Sequence, residues 1–157
     1  MVKEYWGSEM DNKIKLKNYT TSVPAERSIS EIEKLLIMFG ATHVMKEYLT
    51  DGTIRSISFK MEDKGYKLPA NTPGVLRVMY PNRDEFTKNQ EEQAERVTWR
   101  LIKDWLHAQL SIVISGQAQP DEVLLPYLWN GKLTMYEAYK SGQLSLEDKR
   151  EEDARSN

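Results

Sequence analysis

Residues Asn89–Gly116 make the longest helical pattern in the chain, and its apolar positions cover too much of the circumference for a surface helix. At about 100° per residue, Ala94, Val97, Leu101, Trp105, Ala108 and Ile112 stack on one stripe. Trp99, Ile102, Leu106 and Val113 widen that stripe beyond the face a surface helix normally buries. Only a narrow ridge of Arg96, Arg100, Lys103 and His107 reads as solvated. A helix of this kind has to be covered from two sides, so it is read as the spine of the fold, with Trp99 and Trp105 as core.

The other elements follow from period and punctuation. Lys13 to Tyr19 alternates with a period of two, placing Ile14 and Leu16 on one face and Lys13, Lys15 and Lys17 on the other; this predicts a strand. Ser28 and Glu31 have the spacing of a capping box, which predicts a helix over 29–39 with Ile29, Ile32, Leu35, Leu36 and Phe39 inward and Gly40 as its left-handed stop. Runs 43–48 and 53–61 flank Asp51-Gly52, a dipeptide favouring a type I′ hairpin turn, and Ile57, Phe59 and Met61 share a face. A turn at Asp63–Gly65 leads into a third strand at Tyr66-Lys67-Leu68. Pro73 starts a short segment over 75–80, read as helix, although its β-branched content leaves a strand open. Pro120 begins a short helix over 122–125 that Pro126 stops or kinks, and Thr134 with Glu137 caps a last one running to Lys140 and closed by Gly142. Strands in the first half and helices in the second predict an α+β fold: a small antiparallel sheet, a β-hairpin plus flanking strands, covered by helices. The expected organisation is a flexible stretch 1–12, one α+β domain over 13–144, and a charged, disordered tail over 145–157.

Composition excludes more than it assigns. The 157 residues carry no cysteine, which removes disulfides, thiolate metal sites and cysteine nucleophiles. A formal charge of -2 argues against a wholesale electrostatic binder of nucleic acid, though not against a local basic patch. No secretion signal and no run long enough to span a membrane is visible, so a cytoplasmic location is expected. His43 and His107 lack the paired spacing of a metal site, and no nucleophile elbow, dinucleotide fingerprint or phosphate-binding loop occurs. No catalytic residue, metal or cofactor is therefore expected.

Several segments resemble small uncharacterised proteins of phages and prophages. They are Tyr19-Thr20-Thr21-Ser22-Val23-Pro24-Ala25-Glu26-Arg27, the run from Ser30 to Ala41, Lys67-Leu68-Pro69-Ala70-Asn71, the stretch from Gln93 to Leu110, and Asp121-Glu122-Val123-Leu124-Leu125-Pro126-Tyr127. The resemblance covers roughly residues 19–140 and implies a mobile-element origin in a bacterial host. It implies no mechanism.

Two surfaces stand out. Tyr127, Trp129, Tyr136 and Tyr139 gather round Asn130-Gly131, and Tyr and Trp combine large contact area with a polar handle, as protein-binding hot spots do. They are the expected protein-binding residues, with a host or defence factor as partner. The alternative is a nucleic-acid surface made by Lys13, Lys15 and Lys17 of the strand with Arg96, Arg100 and Lys103 of the ridge. The pairs Glu92–Arg96 and Arg100–Asp104 at i, i+4 would neutralise part of that ridge. A small enzyme with an unrecognised site is the remaining alternative.

Overall fold

The computed structural model describes residues 15–143. The element order is α1 (Ala25–Phe39), β1 (Ala41–Tyr48), β2 (Ile54–Met61), β3 (Lys64–Pro69), α2 (Thr72–Met79), α3 (Lys88–Ile114), α4 (Pro120–Leu124), a 3₁₀ turn (Leu125–Tyr127) and α5 (Met135–Lys140). The sheet is antiparallel in the order β1-β2-β3, and the fold is α+β. No helix among the described residues is long and apolar enough to cross a membrane.

Helix α1 begins four residues before the expected start. Pro24 in extended backbone is the N-cap, and its carbonyl accepts from the N–H groups of Arg27 and Ser28. Ser28, expected as the cap, lies inside the helix and is fully buried beside Ile29, Ile32 and Leu36, while Glu31 turns to α3 instead of closing a capping box. The expected stop holds: Gly40 sits at φ 107, a left-handed conformation that costs glycine little.

The hairpin forms where expected, with a different turn. Gly52 alone is left-handed (φ 85); Asp51 is not, so the turn is not type I′. The Gly52 N–H donates to Leu49 O and the Leu49 N–H to Thr53 O, giving a type I turn closed by a glycine bulge. The Asp51 carboxylate accepts from both the N–H and the hydroxyl of Thr53, which holds Asp51 in place. The next turn is Glu62-Asp63 rather than Asp63–Gly65; Glu62 takes φ 54 at a place usually given to glycine, and Gly65 belongs to β3. Ile57, Phe59 and Met61 share the core face, where the Phe59 ring stacks on Tyr66 at 5.2 Å.

No strand forms in the described part of the lysine alternation. Lys15 and Leu16 have no sheet partner and residues 17–20 turn, with Asn18 left-handed at φ 64. Leu16 packs with Leu76, Met79, Ala94 and Val97 between α2 and α3, and Lys17 and Asn18 both bond to Asp104. The apolar side chain of the alternation is thus taken by two helices, not by the sheet. Residues 75–80 resolve in favour of helix: α2 starts at Thr72, capped by Asn71, whose side chain accepts from the Gly74 N–H.

Helix α3 is the spine and is covered from two sides. Thr87 and Gln90 cap its start reciprocally. One side gives Trp99, Leu106 and Leu110 to the core with α1 and the sheet; the other gives Ala94 and Val97 to a second cluster with Leu76 and Met79 of α2. The expected stripe is buried only in its first half. Leu101, Trp105 and Ile112 are half-buried and Ala108 is exposed. Length explains this: α2 has 8 residues, about 12 Å, against 27 residues, about 40 Å, in α3.

Past α3, Pro120 and Pro126 give α4 and then a tighter 3₁₀ turn, as a proline beyond the first helical turn requires. The chain next meets the free side of β3. The Trp129 N–H donates to Gly65 O at 2.9 Å, Tyr66 bridges to Leu128, and the Met135 N–H donates back to Leu128 O. The expected cap of α5 is present, with Thr134 and Glu137 bonded reciprocally.

Candidate functional site

The four aromatic residues expected to bind a partner are placed on three surfaces. Tyr127 is half-buried and meets the Trp105 ring edge-on at 5.3 Å. Together they form part of an apolar cleft of about 230 Å³, completed by Leu68, Pro69, Leu101 and Ile102. Trp129, hooked onto β3, lies under the Lys67 ammonium at 5.2 Å, a cation–π contact. Tyr136 and Tyr139 project from α5 and are each more than half exposed (56% and 59%).

Lys67 ties the second surface together, and sequence reasoning gave it no role. On the sheet face away from α1 and α3 its Nζ is 3.2 Å from Glu47 Oε2, which also accepts from the Ser56 hydroxyl, while Arg55 flanks the same carboxylate. The hydrogen bonds from Lys67 and Ser56 and the positive charge beside it hold the Glu47 carboxyl below its ordinary value. The Glu137 carboxyl is also lowered, by the backbone N–H and hydroxyl of Thr134 and, more weakly, by Lys67. Trp129, Lys67, Glu47 and the start of α5 therefore form one connected polar and aromatic edge. The signal for it in the sequence is slight: strand alternation places Lys67 outward but not over a tryptophan 62 positions later.

Arg100 and Lys103 of the ridge come together with their charges already matched. Arg100 donates to Glu31 at 2.6 Å, and Lys103 lies 4.0 Å from Glu31 and 3.6 Å from Asp104. Lys17 reaches Asp104 at 2.8 Å. Arg100 and Lys103 are only one-fifth exposed, so this part of the ridge is not a solvated face but the seam between α3, α1 and the stretch from Lys17 to Thr21. Arg96 bonds to Gln93 rather than to Glu92, and Arg100 bonds to Glu31 rather than to Asp104, so neither expected i, i+4 pair forms. Burial alone would raise the Asp104 carboxyl, but the hydrogen bonds from Lys17 and Asn18 and the charges of Lys17 and Lys103 override it and hold it at about 2. Glu31 shows the same balance: burial opposes, and Arg100, Lys103 and Arg27 prevail to lower it. Lys15 is exposed, and Lys13 lies outside the described residues.

Neither histidine belongs to a cluster of the described residues. His43 is exposed on β1 with Nδ1 2.9 Å from the Thr42 hydroxyl, and His107 is exposed on α3. Among the described residues no group of three or more metal-ligating side chains converges. The apolar cleft carries one ionisable side chain in its lining, Tyr127.

Comparison with known proteins adds no relative: no protein-family model, no curated protein and no solved structure matches the chain.

Proposed function

We propose that this chain is a non-enzymatic accessory protein that acts by binding a protein partner through its C-terminal unit, with Tyr136 and Tyr139 as exposed anchors and the Trp129–Lys67 edge beside them. The observation that carries this reading is the contrast between its two candidate surfaces. Tyr136 and Tyr139 expose more than half of their area and belong to neither hydrophobic cluster, whereas Arg100, Lys103 and Lys17 are already paired with Glu31 and Asp104. Aromatic residues left exposed on a capped helix suit a hot spot. Cations spent on internal carboxylates have little field left for a phosphate backbone. The resemblance to phage and prophage proteins supports a bacterial host or defence factor as the partner and the bacterial cytoplasm as the place of action.

The test is capture from a bacterial host lysate by wild-type protein and by a Tyr136→Ser, Tyr139→Ser double variant, each with and without nuclease. Both substitutions fall on exposed positions, so the fold is retained. The reading expects a nuclease-resistant partner that the double variant loses. Capture abolished by nuclease, or salt-sensitive binding of unrelated DNA or RNA by the wild type, would instead establish the nucleic-acid alternative.

A further inference from the structure

The two edges of the sheet are treated differently. At β3, Trp129 donates to Gly65 O and Leu128 bridges to Tyr66, so a later part of the chain covers that edge. β1 pairs only with β2, and among the described residues no backbone hydrogen bond or bridge reaches its outer side. Edge strands of soluble proteins are usually blunted by proline, by lysines or by bulges. β1 has no proline, and its single lysine, Lys46, is drawn onto Glu33 of α1 at 2.6 Å. Its register shifts lie at the two ends, between Ala41 and His43 and between Glu47 and Tyr48. Residues 43–47 between them form a regular run centred on Met45. Val44 packs on the core and Lys46 turns to α1, so Met45 points to the face away from α1 and α3, where it is more than half exposed. Tyr48, and Ile37 one turn along α1 from Glu33, are also more than half exposed beside this edge.

We propose that β1 is the dimerisation edge of this protein, occupied by β1 of a second copy that runs antiparallel about a twofold axis through Met45. Directly opposite residues of antiparallel strands share a face, so a twofold axis normal to the sheet pairs positions of equal parity. About Met45 it sets Met45 against Met45, Val44 against Lys46, and His43 against Glu47 of the second copy. The ends are complementary: an exposed imidazole, which carries an N–H donor in either protonation state, faces a carboxylate on each side of the axis. The neighbouring registers lack this match. An axis at Val44 leaves Glu47 facing Ala41 and Lys46 facing Thr42, and an axis at Lys46 sets two lysines against each other. Pairing about Met45 makes one continuous antiparallel sheet, with α1 of both copies on the same face and Ile37 of each near the junction. A five-residue run is a small interface, below about 1,200 Å², so the dimer fills with concentration and is not obligate. The edge lies two strands from the side where Trp129 docks, and the proposal rests on neither Tyr136 nor Tyr139.

Sedimentation equilibrium of the full-length protein should show a mass that rises from 18.3 kDa toward twice that value between about 1 μM and 1 mM. Met45→Lys and Met45→Glu, at an exposed position, should each fold and stay monomeric, because like charges then face each other at the axis. An equimolar mixture of the two should dimerise again, since opposite charges then meet there. A second measurement reads the register directly. The chain has no cysteine, so Met45→Cys places one thiol per copy at the axis. Its Cβ atoms would stand about 4.5–5.5 Å apart, close to disulfide reach. Under oxidised glutathione it should cross-link two copies at least about tenfold faster than Lys60→Cys, which is exposed on β2, with the two β2 strands about 14 Å apart in the dimer. A wild type that stays monomeric at the highest concentration, a dimer that survives either charge substitution, a mixture that stays monomeric, or equal cross-linking at the two positions would overturn the proposal.

Discussion

Asp104 offers the sharpest test of how the seam is held. Its carboxylate accepts from Lys17 at 2.8 Å and from Asn18 at 2.9 Å, with Lys103 3.6 Å away, and its side chain is about one-fifth exposed. Its carboxyl is lowered from an ordinary 3.8 to about 2. A drop of that size corresponds to about 2 kcal/mol of stability at neutral pH. Lys17 is 69% exposed, and pairs that open to water are worth less, so about 1–2 kcal/mol is the expected effect. The folded-state value is the depressed one, so the contribution is fully present above the unfolded value near 3.8 and is lost as the pH falls through about 2. Asp104→Asn keeps the shape and removes the charge. Urea melts of wild type and variant should differ by about 1–2 kcal/mol at pH 7, by the same at pH 5, and progressively less from pH 4 to pH 2, where the wild-type carboxyl is itself about half protonated. A difference that stays constant to pH 2 would show that the variant acts by disturbing packing. No difference at pH 7 would show that water and Asn18 alone satisfy the carboxylate.

Other substitutions separate neighbouring causes. Trp99→Ala, at a fully buried site, should cost about 3–5 kcal/mol in denaturant melts, whereas Trp105→Ala, at a half-buried site, should cost clearly less; equal losses would mean that the upper stripe is as well covered as the lower. Glu31→Ala should destabilise by about 1–3 kcal/mol, since it leaves Arg100 without its acceptor in a seam it cannot readily leave; thermal melts unchanged from wild type would refute this. Glu62→Gly should stabilise by a few tenths of a kcal/mol up to about 1 kcal/mol, because φ 54 strains a side chain and suits glycine; a lower midpoint would show that unfolded-state entropy outweighs the relieved strain.

What the sequence disclosed was mostly local. The Thr134–Glu137 cap, the Gly40 stop, the common face of Ile57, Phe59 and Met61 and the two-sided demand of α3 are all set by residues a few positions apart, and all four are present. What it hid was long-range. Glu31 has the spacing of a cap, but its partner Arg100 lies 69 positions away, and nothing in a single sequence ranks that partner above a local one. The lysine alternation shows that Leu16 will be buried without saying on what, and two helices take it where a sheet was expected. The aromatic residues near the C-terminus are legible as a group, yet their division among a cleft, a lysine-capped sheet edge and an exposed helix depends on the Gly65–Trp129 contact.

That contact also sets a schedule for the growing chain. The open side of β3 presents unpaired backbone groups, the kind of edge that recruits strands from other molecules. Its cover comes from Leu128 and Trp129, the latter translated 64 positions after Gly65. At ordinary elongation rates the ribosome needs about 3–13 s to cross that interval. During those seconds the three strands can pair while the β3 edge stays bare. A stall or truncation before residue 129 would leave Gly65 and Tyr66 without this cover, so the last third of the chain acts toward the sheet as a built-in chaperone that arrives late.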